Sequence, residues 1–152
     1  MGALSQPVSE LVARLQYHAA PTRILEGFRV MPKPETAVEG RDDLPRVMLL
    51  RLNLTDDSQS QTTSFARILV ALAISSRKEG DMTGHAQDVE KVLDAIEVGT
   101  DGKVDFEVGG STIRGVRVAG EETEATGVGI QTIVTVTLET KPFNRGARRS
   151  TP

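Results

Sequence analysis

The chain has 152 residues, a net charge of −3 and no cysteine. That length supports one ordinary domain able to bury roughly two-thirds of its unfolded surface, while the missing cysteines exclude a disulfide framework, a thiolate metal site and a cysteine nucleophile. The longest apolar run, Ile68 to Ile74, falls well below the about twenty residues that cross a bilayer, and without tryptophan the chain lacks the usual stacking platforms of single-strand nucleic-acid binders.

The N-terminus, MGALSQPVSE, carries no charged and apolar signal pattern, so a soluble cytosolic protein is expected. From about Pro7 to Ala19, residues Val8, Leu11, Val12, Leu15 and Ala19 fall on one helical face. Ser5 is a suitable cap, and Pro7 is tolerated in a first turn. His18, beside the stripe, reads as a rim residue. Residues Arg23 to Leu44 read as an irregular loop with one short strand around Ile24 to Met31.

From Arg46 the pattern turns to alternation: Met48, Leu50, Leu52 and Leu54 against Leu49, Arg51 and Asn53, as in a strand with one buried face. Thr55 to Ser64 has no apolar anchor and reads as a long exposed loop. Phe65 to Arg77 is apolar on both faces through its centre, which favours a mid-sheet strand over a helix. A second helix follows, with Val89, Val92, Leu93 and Ile96 at helical spacing, Asp81 or Thr83 to start it and Gly99 to end it. His85 in its first turn reads as a surface histidine.

TDGK at Thr100 to Lys103 and VGGS at Val108 to Ser111 are turn signals within alternating strands. Ala119 to Gly129 reads as an acidic, glycine-rich exposed loop, and Ile130 to Glu139 as a strand of strict period two. Together these predict an α+β fold: a mostly antiparallel sheet, two main helices on one face, long exposed loops and a C-terminal arm. Residues 1–140 form the single domain and 141–152 the basic arm. Lys141, Arg145, Arg148 and Arg149 contribute +4 there, leaving −7 on the first 140 residues. An acidic body with a basic arm points to contact with an acidic surface, including a second copy.

Catalytic constellations are not evident in the sequence. Asp42 with Asp43 and Asp56 with Asp57 are adjacent carboxylates that read as solvated loop acids. His18 and His85, the only histidines, have no two-ligand spacing, so neither a metal site nor a cofactor is expected. No G-x-S-x-G supports a serine nucleophile, and Gly127 to Gly129 precedes a strand, unlike a phosphate-cradling loop. A hydrolase would require His18 or His85 to meet a carboxylate in a pocket. Four cations without a basic face make a weak DNA footprint, permitting passing contact only.

The order of elements is itself informative: SELVARLQ, paired apolar strands, ILVALAISSRKEGD running into HAQDVEKVLDAI, then TIRGVRV and a closing TIVTVTLETKPF. Over about residues 8–143 this resembles the small tail proteins of long-tailed bacteriophages, particularly tail terminator proteins. The resemblance implies a non-enzymatic virion protein, assembled in the host cytoplasm, that forms a hexameric ring on the tail tube. Such a ring ends polymerisation and joins the head-completion proteins. Partners would be further copies of the chain, the tail-tube protein and a head-completion or connector protein, with DNA passing through the lumen and no membrane. A connector or tube subunit would follow the same fold logic.

A ring uses heterologous contacts, so each copy needs two different complementary patches. Lys141, Phe143, Arg145, Arg148 and Arg149 are the expected docking arm, with Phe143 as apolar anchor and Pro142 keeping the segment extended. Glu121, Glu122 and Glu124 are the expected acidic partner surface. The strand before the arm is expected to offer an edge for augmentation across subunits.

Overall fold

The computed structural model describes residues 2–34, 45–58, 63–77, 82–118, 124–125 and 129–144. In chain order the elements are α1 (Ser5–His18), β1 (Arg29–Met31), β2 (Arg46–Ser58), β3 (Thr63–Arg77), α2 (Met82–Glu97), β4 (Glu107–Val108), β5 (Ser111–Val118), β6 (Glu124–Ala125), β7 (Gly129–Thr140) and β8 (Phe143–Asn144). The α+β expectation holds: one sheet runs β1-β2-β3-β7-β5-β4, with β6 against β7 and β8 against β3. Among the described residues only β1 and β2 pair in parallel.

Both helices pack on one face. Leu11 and Leu15 from α1 and Val89, Val92 and Ile96 from α2 meet Ile68, Val70, Leu72 and Ile74 of β3 and Val134, Val136 and Leu138 of β7 in one core. Each such side chain, fully withdrawn from water, contributes about 1.5–3 kcal/mol. β3 lies mid-sheet, as its two-sided apolar pattern predicts, and its far face carries Ala71 and Ala73, also buried. Those small residues, poor strand formers by propensity, are accommodated because β3 is paired along both flanks.

Strand β2 corrects the sequence reading. Its ladder with β3 slips between Leu49 and Arg51, leaving Leu50 as an extra, bulged residue. Before the bulge, Val47 and Leu49 enter the main core, while Met48 packs with Met31, Ala73 and Leu50 in a smaller cluster. After it, the phase reverses: Leu52 stands opposite Val70 and Leu54 opposite Ile68, on the helix side. They lie beyond the helical cover and remain 43% and 51% exposed, so they are not the buried face that alternation implies. The expected loop at Thr55 to Ser64 is also shorter, since β2 reaches Ser58 and β3 begins at Thr63.

The glycine turns follow their sequence signals. Val108 pairs with Ser111 across Gly109 and Gly110, both at positive φ (58° and 84°), as a two-residue type I′ hairpin requires. Gly109 also presses against α1: a Cβ there would lie 2.7 Å from the Gln6 carbonyl oxygen and 2.8 Å from the Pro7 Cα. At the start of α1, Ser5 does not cap; Leu4 occupies that position without a side-chain hydrogen bond, and the Ser5 hydroxyl instead accepts from the Gly2 amide at 3.2 Å.

Candidate functional site

Three inward polar side chains extend the apolar stripes of the helices. Arg14 is only 7% exposed. Its Nη1 donates to the carbonyls of Ile96 (2.8 Å) and Asp105 (2.7 Å), and its Nη2 to that of Glu107 (2.8 Å). The guanidinium thereby ties α1 to the end of α2 and to the approach to β4. Burial lowers its pKa from the ordinary arginine value, with Asp105, Asp101 and Glu10 pulling the other way. His18, expected at the rim, is buried; its Nε2 lies 2.7 Å from the Val98 carbonyl and, facing an acceptor, carries the proton.

His85 is also buried rather than on the surface, because it lies one turn before Val89 on the same stripe. Its Nδ1 is 2.8 Å from the Ser76 hydroxyl, which donates to Asp88 Oδ2 at 2.5 Å, and its Nε2 is 2.8 Å from Thr132 Oγ1. With the Ser76 proton directed to Asp88, the imidazole donates through Nδ1 and accepts from Thr132 through Nε2. Burial lowers the His85 pKa, opposed by Asp88. A serine, a histidine and an aspartate thus converge, but the hydroxyl sits between the other two. A nucleophilic serine needs the imidazole to take its proton, whereas here that proton faces the carboxylate. The chain of bonds fastens the start of α2 to β3 and β7.

The expected docking residues divide by position. Lys141 is exposed, with Nζ 3.4 Å from Glu107 Oε2 of its own chain. Phe143 is half-buried in β8, which continues the line of β7 along β3, with Phe143 opposite Ser64. Glu124 belongs to β6, opposite Gln131 near the start of β7. Arg145, Arg148, Arg149, Glu121 and Glu122 lie outside the described residues. The segments that carry the two charge groups therefore leave from opposite ends of β7, a 12-residue strand, and from Gln131 to Phe143 they are separated by about 40 Å of extended chain.

The expectation that the strand before the arm offers a pairing edge is overturned. β7 is flanked by β3 on one side and by β5 and β6 on the other. The open edges lie elsewhere. β1 covers β2 only at Arg46 to Met48, and β4 covers β5 only at Ser111 and Thr112. Among the described residues, no strand pairs with the outer edges of β2 from Leu50 onward or of β5 from Arg114 onward.

Each open edge runs beside an apolar groove under a helix. At β2, Leu4, Val8 and Val12 of the α1 region face Leu49, Leu52 and Leu54 across a groove of about 560 Å³. At β5, Met82, Val89 and Leu93 of α2 face Val118 and Thr132 across one of about 390 Å³. Leu52, Leu54 and Val118 escaped sequence reading because a strand's pattern reports which side chains share a face, not where helical cover ends.

Among the described residues no group of three histidine, cysteine or acidic side chains is placed to hold a metal ion, and no helix is long and apolar enough to cross a membrane. Neither a protein-family model nor a curated protein matches this chain.

Proposed function

We propose that this chain is a structural subunit of a long-tailed phage virion. It closes into a ring on the end of the tail tube, ends polymerisation there, and presents its other face to the head-completion proteins. The observation that carries this reading is the attachment of the basic arm and the acidic loop to opposite ends of β7. A cationic arm that leaves one pole cannot readily fold back onto an acidic loop rooted at the other. It finds that surface on another copy, and head-to-tail contact of two unlike patches is what closes a cyclic ring. The charge asymmetry, −7 against +4, gives the contact its direction.

The test is to purify the chain and a version ending at Asn144, then compare mass and electron images. The full chain is expected to form closed rings that stop elongation when added to polymerising tube subunits. The shortened chain, keeping β8 and losing Arg145, Arg148 and Arg149, is expected to stay monomeric with an unchanged melting temperature. Normal ring formation without the arm, or continued tube growth in the presence of the full chain, would overturn the reading.

A further inference from the structure

We infer that copies of this chain join edge to edge, the open edge of β5 on one copy pairing with the open edge of β2 on the next. This rests on the head-to-tail assembly proposed above and assigns it a surface. β2, β3, β7 and β5 alternate in direction, so the two outer strands of this set run oppositely. A second copy set beside the first in the same orientation therefore meets it in the antiparallel sense, with the helices of both on one side.

The two edges also match in height and chemistry. The cross-strand row through Leu52 passes Val70 and Val136 and ends at Val116, so the uncovered stretches lie at the same level. Direct level pairing would oppose exposed Arg117 to exposed Arg51, which lie on one row of the far face. A two-residue stagger relieves this: Arg117 then faces Asn53, Val118 faces Leu52 and Val116 faces Leu54. That register covers the side chains left exposed on the helix side, Leu52, Leu54 and Val118, the last at 45%. It also merges the groove beneath α1 with the groove beneath α2 of the neighbour into one apolar layer. β1 and β4 bound the open stretches at opposite ends, so each limits sliding of the partner strand.

A second copy is favoured over an unrelated extended peptide because one chain carries both halves of the match: strand sense, level and apolar face. Two-fold pairing of β2 with β2 would leave the β5 edge and its groove uncovered.

The absence of cysteine makes the test direct. In the L52C/V118C variant the two thiols lie on opposite sides of the four-strand set, about 14 Å apart at sheet spacing, too far for a bridge within one chain. Mild oxidation of purified full-length protein is expected to give a ladder of covalent oligomers ending at the ring size. It should form about a thousandfold faster than any product of either single variant at micromolar protein, since a held pair reacts at millimolar effective concentration. L52C/R117C, with its thiols on opposite faces, is expected to give no ladder. Both positions are exposed, and an unchanged melting temperature checks the fold. Rings that persist in images while L52C/V118C stays uncrosslinked overturn the edge pairing and leave the ring reading standing. A ladder that runs on into open filaments supports the pairing and overturns the terminator reading. Rapid dimers from L52C alone mean two-fold pairing and overturn the inference.

Discussion

Replacing Arg14 with methionine preserves much of the length and apolar stem of the side chain while removing its donors, and so isolates the three carbonyl contacts. Hydrogen bonds to a charged group contribute about 1.5–3 kcal/mol net when both partners are buried. The Ile96 carbonyl, at the end of α2 and beneath α1, counts in full, whereas those of Asp105 and Glu107 belong to exposed residues and regain water. The exposed Asp105 carboxylate, 3.6 Å from Nη2, adds little. The expected loss is about 3–4 kcal/mol, within the range for breaking a buried polar pair from one side. For a domain of this size that is roughly 6–16 °C in melting temperature. Urea unfolding followed by circular dichroism measures it, with the R14K variant, which keeps the charge but not the fork, expected to recover part of the loss. A loss below about 1 kcal/mol for R14M, against a typical net hydrogen bond, would refute the view that this guanidinium fastens α1 to α2.

Gly109→Ala is expected to cost at least about 1 kcal/mol more than Gly110→Ala, because both force positive φ on an L-residue but only the first drives a Cβ into Gln6 and Pro7; denaturant midpoints compare them, and equal losses would contradict the close approach. Leu49→Ala is expected to cost about 2–4 kcal/mol and Leu52→Ala under about 1 in the monomer, the contrast a core and an edge position should give, and a reversal would mean the bulge is misplaced. Because burial holds the His85 pKa below the ordinary value, the unfolded chain takes up a proton near pH 6.5 that the folded chain still refuses. Stability is thus full above that pH and declines below it; the urea midpoint should fall between pH 7.5 and 5.5, and fall less in H85Q, with equal slopes refuting the link.

Much of the fold is legible from periodicity, since α2 and β7 carry apolar residues at the spacing their geometry demands. The polar residues inside are harder. Arg14 and His18 follow Leu11 at three and seven positions, and His85 precedes Val89 by four, so the stripe places them inward while residue type argues for the surface. What resolves the conflict is partners distant in sequence, such as Ile96 for Arg14 and Thr132 for His85. The β2 bulge is invisible for a related reason: alternation continues unbroken through Leu50, and only the pairing with β3 reveals the slip. The charge separation was readable as composition, but its assignment to opposite poles required the register of β7. The open edges depended on how far β1 and β4 extend.

The placement of the acidic loop and the basic arm at the two ends of β7 has a mechanical consequence. If both segments are gripped by neighbours and the assembly is put under tension, the load enters at one end of β7 and leaves at the other through covalent backbone. The short ladder of β6 with β7, Glu124 to Gln131 and Ala125 to Ile130, is the first set of hydrogen bonds on that path and yields before the backbone is drawn taut. β5, which runs into the acidic segment at Val118, shares the pull and passes it to β7 through their ladder, while β3 holds β7 in place from the other side, so the load stays within the sheet and both helices remain outside its path.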